Sequence, residues 1–167
     1  MITVRVTDHG VAAVLARASR IAANPEPVLR AMGTTLKSIT EGTFNSAGAS
    51  YRPIPWPAKR DGTPSNLQAS TTLAKSFFLR LMGRTATVGS PTKYAAIHQF
   101  GGTIRPKDAK ALRLQSGGRW WTVQKVTIPA RPFLPIVGTS GQLTEAASRL
   151  ISRAGERMLA RLLERGA

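Results

Sequence analysis

Apolar positions change their spacing several times along this chain, and each change marks a new element. Met1 to Val6 alternates, with Ile2, Val4 and Val6 set against Thr3 and Arg5, which is the period of a half-buried strand. From Asp8 to Ala23 the apolar residues fall at Val11, Val14, Leu15, Ala18, Ile21 and Ala22, a spacing that lines one face of a helix. A second helix is predicted to follow, with Asn24 as its cap, Pro25 in its first position and Glu26 near the positive end of its dipole. Val28, Met32, Leu36 and Ile39 form its expected buried face.

Between Thr43 and Asn66 the periodicity dissolves into a segment holding Gly48, Pro53, Pro55, Pro57, Gly62 and Pro64. An extended loop over 43–66 is long for a compact domain. Tyr51 and Trp56 lie within it, and large aromatics seek a partner surface, so the loop reads either as an arm that orders against a neighbour or as plain disorder. Ser70 to Lys75 suggests a helical turn, and the β-favouring runs Ser76 to Leu81 and Thr85 to Gly89 make a hairpin around Gly83-Arg84. Tyr94 to Phe100 is a short helix bringing Tyr94, Ile97 and His98 together, ended by Gly101 and Gly102.

A second hairpin is expected over 103–128: Ala111 to Gln115 alternates, Ser116 to Arg119 turns, and Trp120 to Ile128 alternates again. The last helix begins at Thr139, which has capping-box spacing to Gln142, and runs to about Glu164. Its apolar set is Leu143, Ala147, Leu150, Ile151, Ala154, Met158 and Leu162, flanked by a slanted ridge of Arg149, Arg153, Arg157, Arg161 and Arg165. Such a ridge is either a solvated face or a surface turned to a neighbour or a lumen. The elements add up to one α+β domain over 1–167: a small antiparallel or mixed sheet packed by the N-terminal helices and a long C-terminal amphipathic helix.

Composition adds charge to this outline. The chain has 24 Lys plus Arg against 8 Asp plus Glu, a formal net charge of +16. Such a field calls for an anionic counterpart, either nucleic acid or an acidic protein surface. Much of it gathers on the second hairpin, where Arg105, Lys107, Lys110, Arg113, Arg119 and Lys125 stand with Asp108 as the acid; these cations are candidates to face DNA or a lumen. Trp120 and Trp121 on the same hairpin either project, to stack on bases or plug a partner's pocket, or pack on the core. No run reaches the roughly 18 apolar residues of a membrane span, and the N-terminus lacks the order of a signal peptide, so a soluble protein made in a cytoplasm is expected, with no membrane partner.

Chemistry is hard to find. Cysteine is absent, which removes disulfides, thiol catalysis and thiolate metal sites, and His9 and His98 are too few for a histidine-rich metal site. Neither histidine has a serine and an orienting carboxylate grouped with it, there is no phosphate loop, and the acids are scattered. His98 reads as a packed histidine bonded to a backbone carbonyl. The expectation is a non-enzyme without cofactor or metal.

What remains distinctive is architectural: Tyr94-Ala95 with Ile97-His98-Gln99-Phe100-Gly101-Gly102, then Ile128-Pro129-Ala130-Arg131-Pro132-Phe133-Leu134. Each half joins residues that fix backbone shape to an aromatic expected to be buried: Tyr94, Phe100 and Phe133. In this order, with Trp56-Pro57, a helical N-terminus, Leu73 ahead of Ser76 and an amphipathic C-terminal helix, the chain resembles the phage virion morphogenesis proteins, the tail-completion or head-tail joining proteins of Mu-like tailed phages. Ala69 to Leu73 departs from the pattern, where a Thr-Gly pair would be expected. The resemblance implies a structural protein of the virion neck or head-proximal tail end, assembled in the host cytoplasm. It further implies a ring, a hexamer by preference, that touches neighbouring neck, tail and connector proteins and contacts genomic DNA nonspecifically. On that reading Tyr94, His98, Gln99, Phe100, Gly101, Gly102, Pro129, Arg131, Pro132 and Phe133 set the fold and subunit interface, with Arg131 pairing a carboxylate or backbone carbonyls at a subunit junction. Tyr51, Trp56, Trp120 and Trp121 are then arm contacts. The competing reading is a stand-alone basic nucleic-acid-binding module.

Overall fold

A computed structural model describes residues 9–48, 55–59, 62–65, 67, 71–116 and 118–164. The strand expected over Met1 to Val6 lies outside these residues, as do Tyr51 and Arg165. The elements in chain order are α1 (His9–Ala23), α2 (Glu26–Asn45), β1 (Phe78–Met82), β2 (Thr85–Gly89), α3 (Ala95–Phe100), β3 (Gly102–Ile104), β4 (Leu112–Ser116), β5 (Arg119–Val123), β6 (Val126–Ile128) and α4 (Glu145–Glu164). The α+β class holds. Every strand pair among the described residues is antiparallel, and the expected single sheet is instead three separate two-stranded ladders, β1-β2, β3-β6 and β4-β5.

Helix α2 is the centre of the molecule. Ile39 from α2 meets Ala147 and Ile151 from α4, with Met32, Leu36 and Leu143 packed around them. The helices can close here because of Gly155: a Cβ added to it would lie 3.0 Å from the Met32 sulfur. On its other side α2 receives the β1-β2 hairpin at Gly33, where an added Cβ would stand 2.5 Å from Leu79 Cδ1 and 3.2 Å from Ala86 Cβ. The hairpin register, Met82↔Thr85 through Phe78↔Gly89, leaves Gly83-Arg84 as the turn, with Gly83 at φ +54 as a two-residue turn requires.

Four expectations need correction. Helix α2 continues through Asn45, past the point where the pattern seemed to break, and Thr40, Thr43 and Phe44 are among its most buried residues. The threonines escape the usual cost of burying a hydroxyl by donating to the carbonyls of Leu36 and Ile39 one turn back, at 2.9 and 3.0 Å. Pro25 is the cap of α2, not its first residue, although Asn24 Oδ1 still accepts from the Glu26 N–H at 3.4 Å. The capping-box start of α4 is also misplaced. Gln142 is instead held in a loop by Val137 N–H donating to its carbonyl, beside an Ile136↔Leu143 bridge, and Thr144 caps the helix by accepting from the Ala147 N–H at 3.4 Å. Finally, the run Trp120 to Ile128 is broken at Gln124-Lys125 into β5 and β6.

Helix α1 leans on α4, with Arg17 donating to the Leu163 carbonyl at 2.6 Å. Toward its start, Val11, Val14 and Leu15 are exposed, Leu15 to 63%, whereas Ile21 is half-buried.

Candidate functional site

The two motif segments, more than twenty residues apart in sequence, are joined main chain to main chain. Arg131 N–H donates to the His98 carbonyl at 2.7 Å. The buried Gln99 uses one side-chain oxygen, Oε1, to accept from the N–H groups of both Phe133 and Leu134, each at 2.9 Å. Directly after α3, Gly101 at φ +72 runs so close to the opposite segment that a Cβ would sit 2.8 Å from Ala130 N and 3.1 Å from the Ile128 oxygen. Gly102 then pairs with Ile128 to start the β3-β6 ladder. Thus Gly101 permits the close approach, and Gln99 and Arg131 stitch it.

Arg131 also ties down the preceding loop. Its side chain is buried, 8% exposed, and donates from Nε to the Pro57 carbonyl at 3.0 Å and from Nη2 to the Ala58 carbonyl at 2.9 Å. Of the two kinds of partner expected for it, the acceptors seen are backbone carbonyls, and they belong to its own chain. Trp56 completes the clamp by donating from its indole N–H to the Pro132 carbonyl at 2.8 Å. Trp56 is consequently not an arm contact: it is buried against Phe44, edge to face at 5.5 Å, and lies over Gly48, where a Cβ would come within 2.4 Å of the indole. Phe133 stacks on Phe44 at 5.6 Å and meets Phe77 at 5.3 Å, so this aromatic cluster is what the loop and the second motif share.

Of the motif aromatics, Phe133 is buried as expected, but Tyr94 and Phe100 are exposed, Phe100 to 48%. Tyr94 caps α3 and contacts the His98 ring edge-on at 5.8 Å. On the His98 ring, Nδ1 is buried and has no hydrogen-bonding partner among the described residues. Burial, and secondarily the Arg131 cation, push its pKa below the usual histidine value, so the imidazole is neutral at pH 7.

From this joint the hairpin arm extends. β3 and β6 form its base, with the Thr103 and Thr127 hydroxyls 3.2 Å apart, and β4 and β5 form its outer part. Arg105, Lys107, Lys110, Arg113, Arg119 and Lys125 are all exposed, and the ion pairs among the described residues lie elsewhere, on α2 and α4. Trp120 is 54% exposed, with the Arg113 guanidinium 4.5 Å over its ring, a diagonal cross-strand cation–π pair. Trp121 points to the opposite face and is half-buried beside Leu114, its partner in register. The face opposite Trp120 overlooks an open cleft whose walls include Lys59 and Ser65, residues to which nothing in their sequence context drew attention.

The chain matches the phage virion morphogenesis family over residues 6–160, a span holding both motif segments, the arm and most of α4. It is 35% identical over 140 residues to the Mu-like prophage FluMu G protein 2 of Haemophilus influenzae, covering 80% of this chain and 83% of that protein. No solved structure matches it. Because the family match takes in the joint, the clamp and the arm together, the chain belongs to the phage virion morphogenesis family and serves as a phage structural protein.

Proposed function

We propose that this protein completes the tail or joins it to the head, acting at the neck or head-proximal tail end as one subunit of a ring, a hexamer by preference. The observation that carries the reading is the apolar face of α1, where Val14 and Leu15 are exposed to 46% and 63%. Tyr94 and Phe100 expose a second apolar surface on a different element. Two unlike surfaces are what head-to-tail association into a closed ring uses. The basic arm, with Trp120 outward, supplies charge for nonspecific attraction to genomic DNA passing such a ring, and neighbouring neck, tail and connector proteins would meet its outer surfaces.

A stand-alone nucleic-acid-binding module is the second reading, favoured by the exposed Arg113–Trp120 pair. Light scattering after size exclusion, with negative-stain electron microscopy, separates the two. A discrete annular oligomer, alone or with tail proteins, that Leu15→Glu converts to monomers supports the ring. A strict monomer that forms no annuli even with its tail partners, and binds DNA tightly and salt-sensitively, supports the module.

A further inference from the structure

The arm has two unlike faces. Pairing of Arg113 with Thr122 and of Gln115 with Trp120 puts polar groups and the exposed tryptophan on one of them. Leu112↔Val123 and Leu114↔Trp121 put an apolar, half-buried set on the other. Leu114, Trp121 and Val123 of this second face form one wall of a cleft of about 540 Å³. Its opposite wall comes from His98, Arg131 and the loop residues Lys59 and Ser65. That volume lies within the range of about 300–1,000 Å³ typical of sites that enclose a ligand.

The strand along the cleft meets it in an unusual way. Lys125, Val126, Thr127, Ile128 and Pro129, consecutive residues, all line it. A strand that shows a face contributes alternate residues; one that contributes every residue presents its edge. Since β6 pairs with β3 on its other side and with no second strand among the described residues, the edge toward the cleft is its free one. Electrostatics adds a sign. Among the described residues no carboxylate lines the cleft, while Lys59 and Lys125 are exposed in its lining and the buried Arg131 adds a third cation. An apolar wall, an open strand edge and exposed cations together match one kind of occupant.

We propose that this cleft binds an extended acidic segment of a partner protein. The segment adds as a strand along the free edge of β6, seats an apolar side chain on Leu114, Trp121 and Val123, and sets carboxylates against Lys59 and Lys125. Main-chain bonds would give affinity and the apolar seat and cations would select the sequence. Duplex DNA fits less well, because phosphates gain nothing from the apolar wall. The proposal concerns a single subunit and stands apart from ring formation.

The test is fluorescence anisotropy of the full chain with a labelled peptide, Glu-Asp-Val-Glu-Leu-Asp-Val-Glu-Asp. Saturable binding is expected, weakened at least about tenfold by Lys125→Glu and by Trp121→Ala and unchanged within about twofold by Trp120→Ala on the opposite face. N-methylation of alternate peptide amides should abolish it if a strand is added. Lys125 is exposed, so Lys125→Glu keeps the test valid should Trp121→Ala fail to fold. Absence of saturable binding, indifference to Lys125→Glu, or full affinity of the methylated peptide would overturn the proposal. Displacement of the peptide by oligothymidylate, with equal loss in Trp120→Ala, would reassign the arm to single-stranded nucleic acid.

Discussion

Replacing Arg131 with alanine should destabilise the subunit itself, and the geometry sets the size of the effect. The side chain makes charge-assisted hydrogen bonds to the Pro57 and Ala58 carbonyls, each of a kind that contributes roughly 1.5–3 kcal/mol. Against this stands the cost of holding a guanidinium in a buried position with no ion-pair partner among the described residues, which the substitution relieves. Pro57 and Ala58 are exposed, so water can solvate their freed carbonyls. The balance is a loss of about 2–3 kcal/mol. For a chain of this length that lowers the melting temperature by roughly 5–10 °C, read by circular dichroism. Arg131→Lys keeps the charge but loses the fork that reaches both carbonyls, and should recover less than half of the loss. A second signature comes from His98, whose pKa Arg131 helps to depress: in Arg131→Ala the imidazole should titrate higher by NMR, yet still below the ordinary value because burial persists. Unchanged melting together with lost assembly would refute the clamp and place the guanidinium at work across a subunit junction.

Gly101→Ala should cost about 2–4 kcal/mol in chemical denaturation, because the left-handed backbone at φ +72 and the collision with Ala130 N add their penalties; a change under about 1 kcal/mol would mean the two motif segments do not meet this closely. The pH dependence follows from the depressed pKa of His98: the unfolded chain binds its proton first as pH falls below about 6.5, so stability is full above that value and declines as pH drops through the folded-state pKa. In His98→Phe the melting temperature should lose this component between about pH 7 and 5, and an identical profile in the variant would show that His98 is not its source.

Much of this architecture was legible because particular residue types have few other uses. Gly101 marks the end of the short helix α3, and the Gly83-Arg84 turn fixes the first hairpin register. The α2-α4 interface follows from helical spacing at Met32, Leu36, Ile39, Ala147 and Ile151. What escaped were residues whose surroundings contradict their type. Thr40 and Thr43 look polar but turn their hydroxyls back on the helix, which hid the end of α2. Trp56 sits among prolines in a stretch without period, and only the distant partners Phe44 and Pro132 explain it. The cleft was invisible for the same reason, since Lys59, His98 and Trp121 become neighbours through the clamp and the fold of the arm. Conversely, the stripe on α1 was read correctly from its spacing, but spacing does not say whether the neighbour that covers a stripe belongs to the same molecule.

The division of strands into three ladders sets how the molecule comes apart. β4 and β5 share no rung with β3 and β6, and the chain joins them only through 105–111 and Gln124-Lys125. The outer ladder can therefore open as its own cooperative unit while α2, α4 and the aromatic cluster stay closed. Amide hydrogens of Leu112 to Val123 would exchange well before those of α2, and damage to the arm would remain local. A virion part built this way can vary the piece that reaches outward without putting its own folding at stake.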